Sequence, residues 1–154
     1  MEIKASTFFT REEQIQIRDA IKEAESETSG EIRVHIETKL SGKVLDRAAW
    51  IFKRIGMHET DKRNGVLFYF AVRNKKFAII GDRGIHSKVP ENFWDNVMKT
   101  LQEHFRNGKY AEGLIEGILR TGMQLKEHFP HEKDDKNELS DEISFDDTEI
   151  PEKL

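Results

Sequence analysis

The 154-residue chain contains no cysteine. That excludes a thiol nucleophile, a CxxC redox pair and a zinc–thiolate site, and it fits a reducing compartment. Long apolar stretches are missing too. The longest run, Gly65 to Val72, has eight residues, against the roughly 20 that a membrane-spanning helix needs. The opening residues Met1-Glu2-Ile3-Lys4-Ala5-Ser6 lack the basic n-region, apolar core and small-residue cleavage site of a secretory leader. A soluble, cytoplasmic protein with no membrane segment is therefore expected. Nor is there a dense basic stripe of the kind that binds nucleic acid.

The charge that is present is unevenly divided. Net charge is −4, yet the stretch from His131 to Leu154 alone holds ten acidic residues and three lysines. The first 130 residues are thus mildly basic and the last 24 strongly acidic. The length suits one domain, and a chain of this size buries about two-thirds of its unfolded surface without a disulfide or metal. The expected organisation is an α/β domain over residues 1–130, followed by an acidic tail over 131–154 that is mobile or loosely docked. Leu139, Ile143 and Phe145 are the apolar residues that could pin the tail to the body.

Thr10-Arg11-Glu12-Glu13 has the form of a capping box. Ile17, Ala20, Ile21 and Ala24 follow at helical spacing, so a helix is predicted from about Arg11 to Thr28, ended by Ser29-Gly30. Glu31 to Thr38 alternates: Ile32, Val34 and Ile36 on one side, Arg33, His35 and Glu37 on the other. This predicts a strand with one wet face. Val44 to Ile55 carries Ala48, Ile51, Phe52 and Ile55 on one helical stripe. Gly65 to Val72 reads as a central strand covered on both faces. Arg73-Asn74-Lys75 is a turn into a strand from Lys76 to Gly81, giving an antiparallel hairpin. Two helices complete the domain, one beginning near Pro90 with Phe93, Trp94, Val97, Met98, Leu101 and Phe105, the other running from Ala111 to Phe129 and stopped by Pro130. The order α-β-α-β-β-α-α predicts a three-layer α/β/α sandwich with a small mixed sheet.

Topology then narrows the search for chemistry. A strand–helix–strand crossover within one sheet makes its two strands parallel, so both begin at the same end of the sheet. The third strand returns to that end. Three segments converge there: Gly30-Glu31, Asp61 to Gly65, and Gly81 to Gly84. They bring Glu31, Asp61, Asn64 and Asp82 to one rim. Oxygen-rich converging loops suit a hard cation, since calcium takes carboxylate, amide and backbone oxygens. The same residue types also favour turns for purely local reasons. His58 and His86 flank the rim as candidate acid or base groups. The six histidines show no HxH or HExxH spacing, and no P-loop, GxGxxG or GxSxG occurs. Asp134 to Glu138 superficially resembles a calcium loop but has no glycine at its sixth position. Trp50 and Trp94 sit at helical spacing and are expected in the core.

Several segments together carry a resemblance: Ser29-Gly30-Glu31-Ile32-Arg33-Val34, Arg63-Asn64-Gly65-Val66-Leu67, Lys76 to Ile85 with its glycine-rich turn, and Phe105-Arg106-Asn107-Gly108-Lys109-Tyr110 followed by Gly113-Leu114. Over roughly Phe8 to Phe129 the chain resembles the TPM domain family of bacteria and plant thylakoid-lumen proteins, and its tail looks like that of a short bacterial subgroup. The resemblance implies an α/β/α sandwich, divalent-cation binding and, from the plant branch, acid-phosphatase activity. The implied cation is calcium, with magnesium as the other possibility, and the candidate metal ligands are Glu31, Asp61, Asn64 and Asp82. Two functions follow as expectations. One is a calcium-binding structural or interaction module with a protein partner still to be identified. The other is a metal-dependent phosphomonoester hydrolase in which Arg63 or Arg83 helps neutralise the phosphoryl group.

Overall fold

The computed structural model describes residues 3–131 and 141–148. Four strands form one mixed sheet in the order β3-β2-β1-β4: β1 (Glu31–Glu37), β2 (Gly65–Ala71), β3 (Lys76–Gly81) and β4 (Ser144–Asp146). β1 runs parallel to β2, with Glu31 opposite Gly65, and β3 returns antiparallel, with Gly81 opposite Val66. The main helices are α2 (Arg11–Glu25), α3 (Val44–Arg54), α5 (Asp95–Arg106) and α6 (Tyr110–His128), and the short turns α1 (Ala5–Phe8) and α4 (Arg83–His86) complete the set.

The layers follow from the side-chain alternation of the strands. On one face Ile32, Val34, Ile36, Val66, Phe68 and Phe70 pack with Ile17 and Ile21 of α2, Val97 and Leu101 of α5, and Leu114 and Ile118 of α6. On the other, Leu67, Tyr69, Ala71 and Ala78 pack with Ala48, Ile51 and Phe52 of α3. Every residue of β2 is buried, so its unbroken apolar run is the middle of a three-layer sandwich. The capping box at Thr10 forms as expected: its hydroxyl accepts from the Glu13 N–H at 3.1 Å, and the Glu13 carboxylate takes the Thr10 N–H at 2.9 Å. Among the described residues no helix is long and apolar enough to cross a membrane.

Two local expectations are corrected, and one strand is added. β1 has no wet face, because His35 and Glu37 are 4% and 0% exposed. Arg47 of α3 covers that side, and β4 closes the outer edge. The helix assigned to Pro90 starts five residues later, at Asp95. Phe93 and Asp95 instead donate to Pro90 and Asn92 carbonyls in successive turns. Finally, the acidic C-terminal stretch contributes a strand. Ser144, Phe145 and Asp146 pair in parallel with His35, Ile36 and Glu37, and Ile143 and Phe145 pack against the larger core. Leu139 and the Asp134–Glu138 stretch lie outside the described residues.

Candidate functional site

The three-loop convergence expected from topology is present and is tied by backbone hydrogen bonds. Glu31 donates its N–H to the Asn64 carbonyl at 3.3 Å, Asp82 donates to Gly65 at 2.9 Å, and Gly84 donates to Arg63 at 2.9 Å. Arg63 has a left-handed backbone, φ 51°, uncommon for a residue with a side chain. That conformation aims its carbonyl at Gly84 while its guanidinium reaches Asp82.

Within this rim the four expected ligands differ. Asn64 is buried at 1% exposure. Its amide nitrogen donates to Ser29 Oγ at 3.3 Å, and its Oδ1 is buried without a hydrogen-bond partner. Glu31 is buried, whereas Asp61 is exposed. Asp82 is buried but engaged. Its carboxylate takes Arg63 Nε at 2.7 Å and Nη2 at 3.0 Å, and it caps α4 by accepting the Arg83 N–H at 2.7 Å. Bidentate pairing of this kind is among the stronger ionic contacts. Of the flanking histidines, His86 places Nε2 3.1 Å from the Gly81 carbonyl, and His58 has a buried Nδ1 with no partner. Among the described residues no group of three or more His, Asp and Glu side chains has the spacing to hold a metal ion.

A carboxyl cluster that sequence reasoning missed lies beside Glu31. Glu25, at the end of α2, accepts the Ile32 N–H at 2.7 Å. Since Glu31 points its N–H toward β2, Ile32 points its own toward the opposite edge, and the Glu25 carboxyl takes the place of a strand there. Asp141 shares a hydrogen bond with Glu25, and Asp141 Oδ1 is buried with no partner. Burial, the Asp141 contact and the charges of Glu31 and Asp141 outweigh the Ile32 N–H and push the Glu25 carboxyl up to about 10. The two charges that raise it, Glu31 and Asp141, are both acidic. A carboxyl raised on folding contributes stability that is complete below its unfolded value of 4.5 and is lost as pH rises toward the folded value. Thermal stability is therefore expected to fall between about pH 5 and 8, and Glu25→Gln to flatten that decline, as read from melting curves across the range.

A second polar group lies under α3. Glu37 receives Arg47 Nη2 at 2.7 Å, Arg47 Nε at 3.0 Å and the Tyr69 hydroxyl at 2.6 Å. His35 lies 3.9 Å away through Nε2 and meets Ser144 Oγ at 2.8 Å through Nδ1. Burial opposes ionisation of Glu37, yet the nearby His35, the hydrogen bonds from Arg47 and Tyr69 and the Arg47 charge hold it down at about 2. Burial and the Glu37 carboxylate in turn push the Tyr69 phenol well above its ordinary value. Arg47 also stacks 4.3 Å from the Trp50 ring. This network is sealed, with Arg47 2% and Tyr69 1% exposed. It joins α3, β1, β2 and β4 and gives no access to a substrate.

The sequence model of the TPM domain matches residues 3–124. The chain belongs to the TPM domain family. It is similar to the BA42 protein of the psychrophilic bacterium Bizionia argentinensis, whose NMR structure is 45% identical, with TM-score 0.86 over 92% of this chain and 97% of that one. The N-terminal domain of a P. gingivalis protein matches at 19% identity and TM-score 0.66, covering 82% and 84% of the two chains. The N-terminal domain of the Corynebacterium glutamicum cg2496 protein matches at 12% and 0.61, covering 75% and 72%. The last two likenesses speak to fold alone. No curated protein matches the chain.

Proposed function

We propose that this domain binds a divalent cation, calcium in the first place and magnesium as a weaker competitor, and works as an interaction module rather than as a hydrolase. The observation that carries the reading is the carboxyl cluster at the start of β1, where Glu25 takes the Ile32 N–H at 2.7 Å and meets Asp141 beside Glu31, with burial first and these acidic neighbours next raising the Glu25 carboxyl. A hard cation relieves such crowding better than a proton does, because it neutralises several carboxylates at once. Buried oxygens without partners, Asn64 Oδ1 and Asp141 Oδ1, are of the ligand type such an ion takes.

Of the four ligands expected from sequence, Glu31 and Asn64 belong to this reading directly. Asp61 contributes from its exposed position on the same loop. Asp82 contributes through its grip on Arg63, which fixes that loop, and would ligate only by giving Arg63 up. Binding needs the carboxyl groups to close together, since they do not have ligand spacing among the described residues. The hydrolase alternative has less support: Arg63, one of the two arginines expected to neutralise a phosphoryl group, is committed to Asp82.

The test is a calcium titration followed by amide NMR and melting temperature, with magnesium in parallel. The expected result is shifts centred on Glu25, Glu31, Ile32, Asn64 and Asp141, with stabilisation that grows with free calcium; at 100 times Kd the gain is about 2.7 kcal/mol. Glu31→Gln should weaken both responses. Shifts confined to residues 142–154, or none, would sink the proposal. Metal-dependent turnover of a generic phosphate ester that Asp61→Asn abolishes would favour the hydrolase instead.

A further inference from the structure

The outer edge of β1 is closed by a very short strand. β4 has three residues, all half-buried, and pairs only with His35, Ile36 and Glu37. Farther along the same edge the Glu25 carboxyl, not a strand, takes the Ile32 N–H. Without residues 141–148, β1 would present an open row of backbone groups, which is a template for another strand.

The segment is held by a small and specific set of contacts. Thr38 donates to the Asp146 carbonyl at 2.9 Å. Ser6 of α1 donates to Asp147 through its N–H at 2.8 Å and its hydroxyl at 2.5 Å. Ser144 meets His35 at 2.8 Å. Arg18 pairs with Glu142 at 3.5 Å, although Glu142 is largely exposed. Ile143 and Phe145 pack against the larger core, and together with Arg11, Gln14, Ile15 and Arg18 of α2 they line a groove beside it. At the start of the segment Asp141 shares a hydrogen bond with Glu25.

We propose that the β1 edge, with the groove beside α2, is a peptide-binding surface that takes an extended acidic strand in parallel register, and that residues 141–148 are its built-in occupant. The chemistry of the occupant defines the partner: two apolar side chains, at the positions of Ile143 and Phe145, flanked by carboxylates for the arginines of α2 and for Ser6. Main-chain pairing would supply affinity, and the apolar seats and basic rim would supply selectivity. The surface does not depend on the cation reading, and its test is run in chelator.

The experiment uses the full chain carrying Ile143→Ala and Phe145→Ala, with a fluorescent peptide of the sequence Ser140 to Thr148 as probe. The variant is expected to bind the peptide at least about tenfold more tightly than the unsubstituted chain, whose own segment competes at high effective concentration. Amide shifts should centre on His35 to Thr38, and a scrambled peptide should not bind. A variant whose β2 and α6 amides are unchanged but that shows no β1 shifts overturns the proposal, as does equal binding to both chains. Shifts at the β1 edge that track protein concentration and a doubling of mass would overturn a peptide partner in favour of a second copy. Should the variant fail to fold, hydrogen exchange in the unsubstituted chain decides. The Thr38 amide, bonded to Asp146, should exchange far faster than the Val72 amide, bonded to Glu37, and equal protection would make residues 141–148 a fixed part of the fold.

Discussion

Replacing Arg47 by methionine is expected to destabilise the domain by about 3–5 kcal/mol, because it strands the buried Glu37 carboxylate without its counter-charge. Glu37 is 0% exposed and Arg47 2%, and the guanidinium supplies bonds to both carboxylate oxygens, at 3.0 Å to Oε1 and 2.7 Å to Oε2. The Tyr69 hydroxyl cannot replace that charge. Urea denaturation at neutral pH measures the loss. Replacing Glu37 and Arg47 together by methionine should recover most of it, since removing both charges also removes the desolvation cost they share. The pH dependence separates this from simple loss of packing. In the unsubstituted chain Glu37 is lowered from 4.5 to about 2, so its contribution is complete above pH 4.5 and is lost only as pH falls through 2. In the Arg47→Met chain burial has no opposing cation, the carboxyl rises, and the deficit should shrink as acid protonates it. A deficit that does not change with pH would mean that Arg47 acts through packing on Trp50 rather than through its charge.

Gly84→Ala should cost about 2–3 kcal/mol, at the upper end of what a single added methyl exacts in a packed site. A Cβ built at Gly84 would lie 2.1 Å from the Lys62 carbonyl oxygen and 2.6 Å from that of Arg63. Those atoms belong to backbone, which cannot swing aside as a side-chain tip can. Either the Asp61–Gly65 loop moves or α4 lifts from it, and both break the Gly84-to-Arg63 hydrogen bond and the register of Arg63 with Asp82. In a domain of this size the melting temperature should fall by about 5–10 °C. Amide shifts should spread over Lys62 to Gly65 and Asp82 to Ile85 while α6 stays unchanged. An unaltered melting temperature would show that the loop yields freely, and the tied rim would then be no fixed frame for a ligand.

The two sites differ in how far they could be read from residues alone. The rim was legible because its assembly is a matter of chain direction. Two parallel strands joined by a crossover, and a hairpin returning from the second, must begin or end at one place whatever the side chains do. The pairs Glu31 with Gly65 and Val66 with Gly81 are that argument realised. The partners within the rim were not legible. Nothing in the order of residues says that Asp82 would be taken by Arg63, or that Asn64 would keep an oxygen buried and unpaired. The alternation of β1 misled for a related reason. Arg33, His35 and Glu37 have the pattern of a solvated face, but a buried arginine on α3 converts that face into the floor of a polar network. Period alone cannot distinguish water from a guanidinium as the partner of a carboxylate. Glu25 was hidden as one of several acidic residues along α2, and only the packing of β1 and of residue 141 beside it gives that carboxyl its role.

The amino-acid sequence by itself determined the element order, the three-layer α/β/α class, the capping box at Thr10, the fully buried β2 and the family. All of these rest on short-range periodicity, turn chemistry and chain direction, which act between neighbours in the chain. Tertiary structure alone decided that an acidic C-terminal stretch supplies a fourth strand, that Glu25 and Asp141 meet beside Glu31, and that Glu37, Arg47, Tyr69 and His35 form one sealed network. Each of those brings together groups ten to more than a hundred positions apart. Their energies depend on burial and on which charge arrives opposite which, and both exist only once the layers have closed.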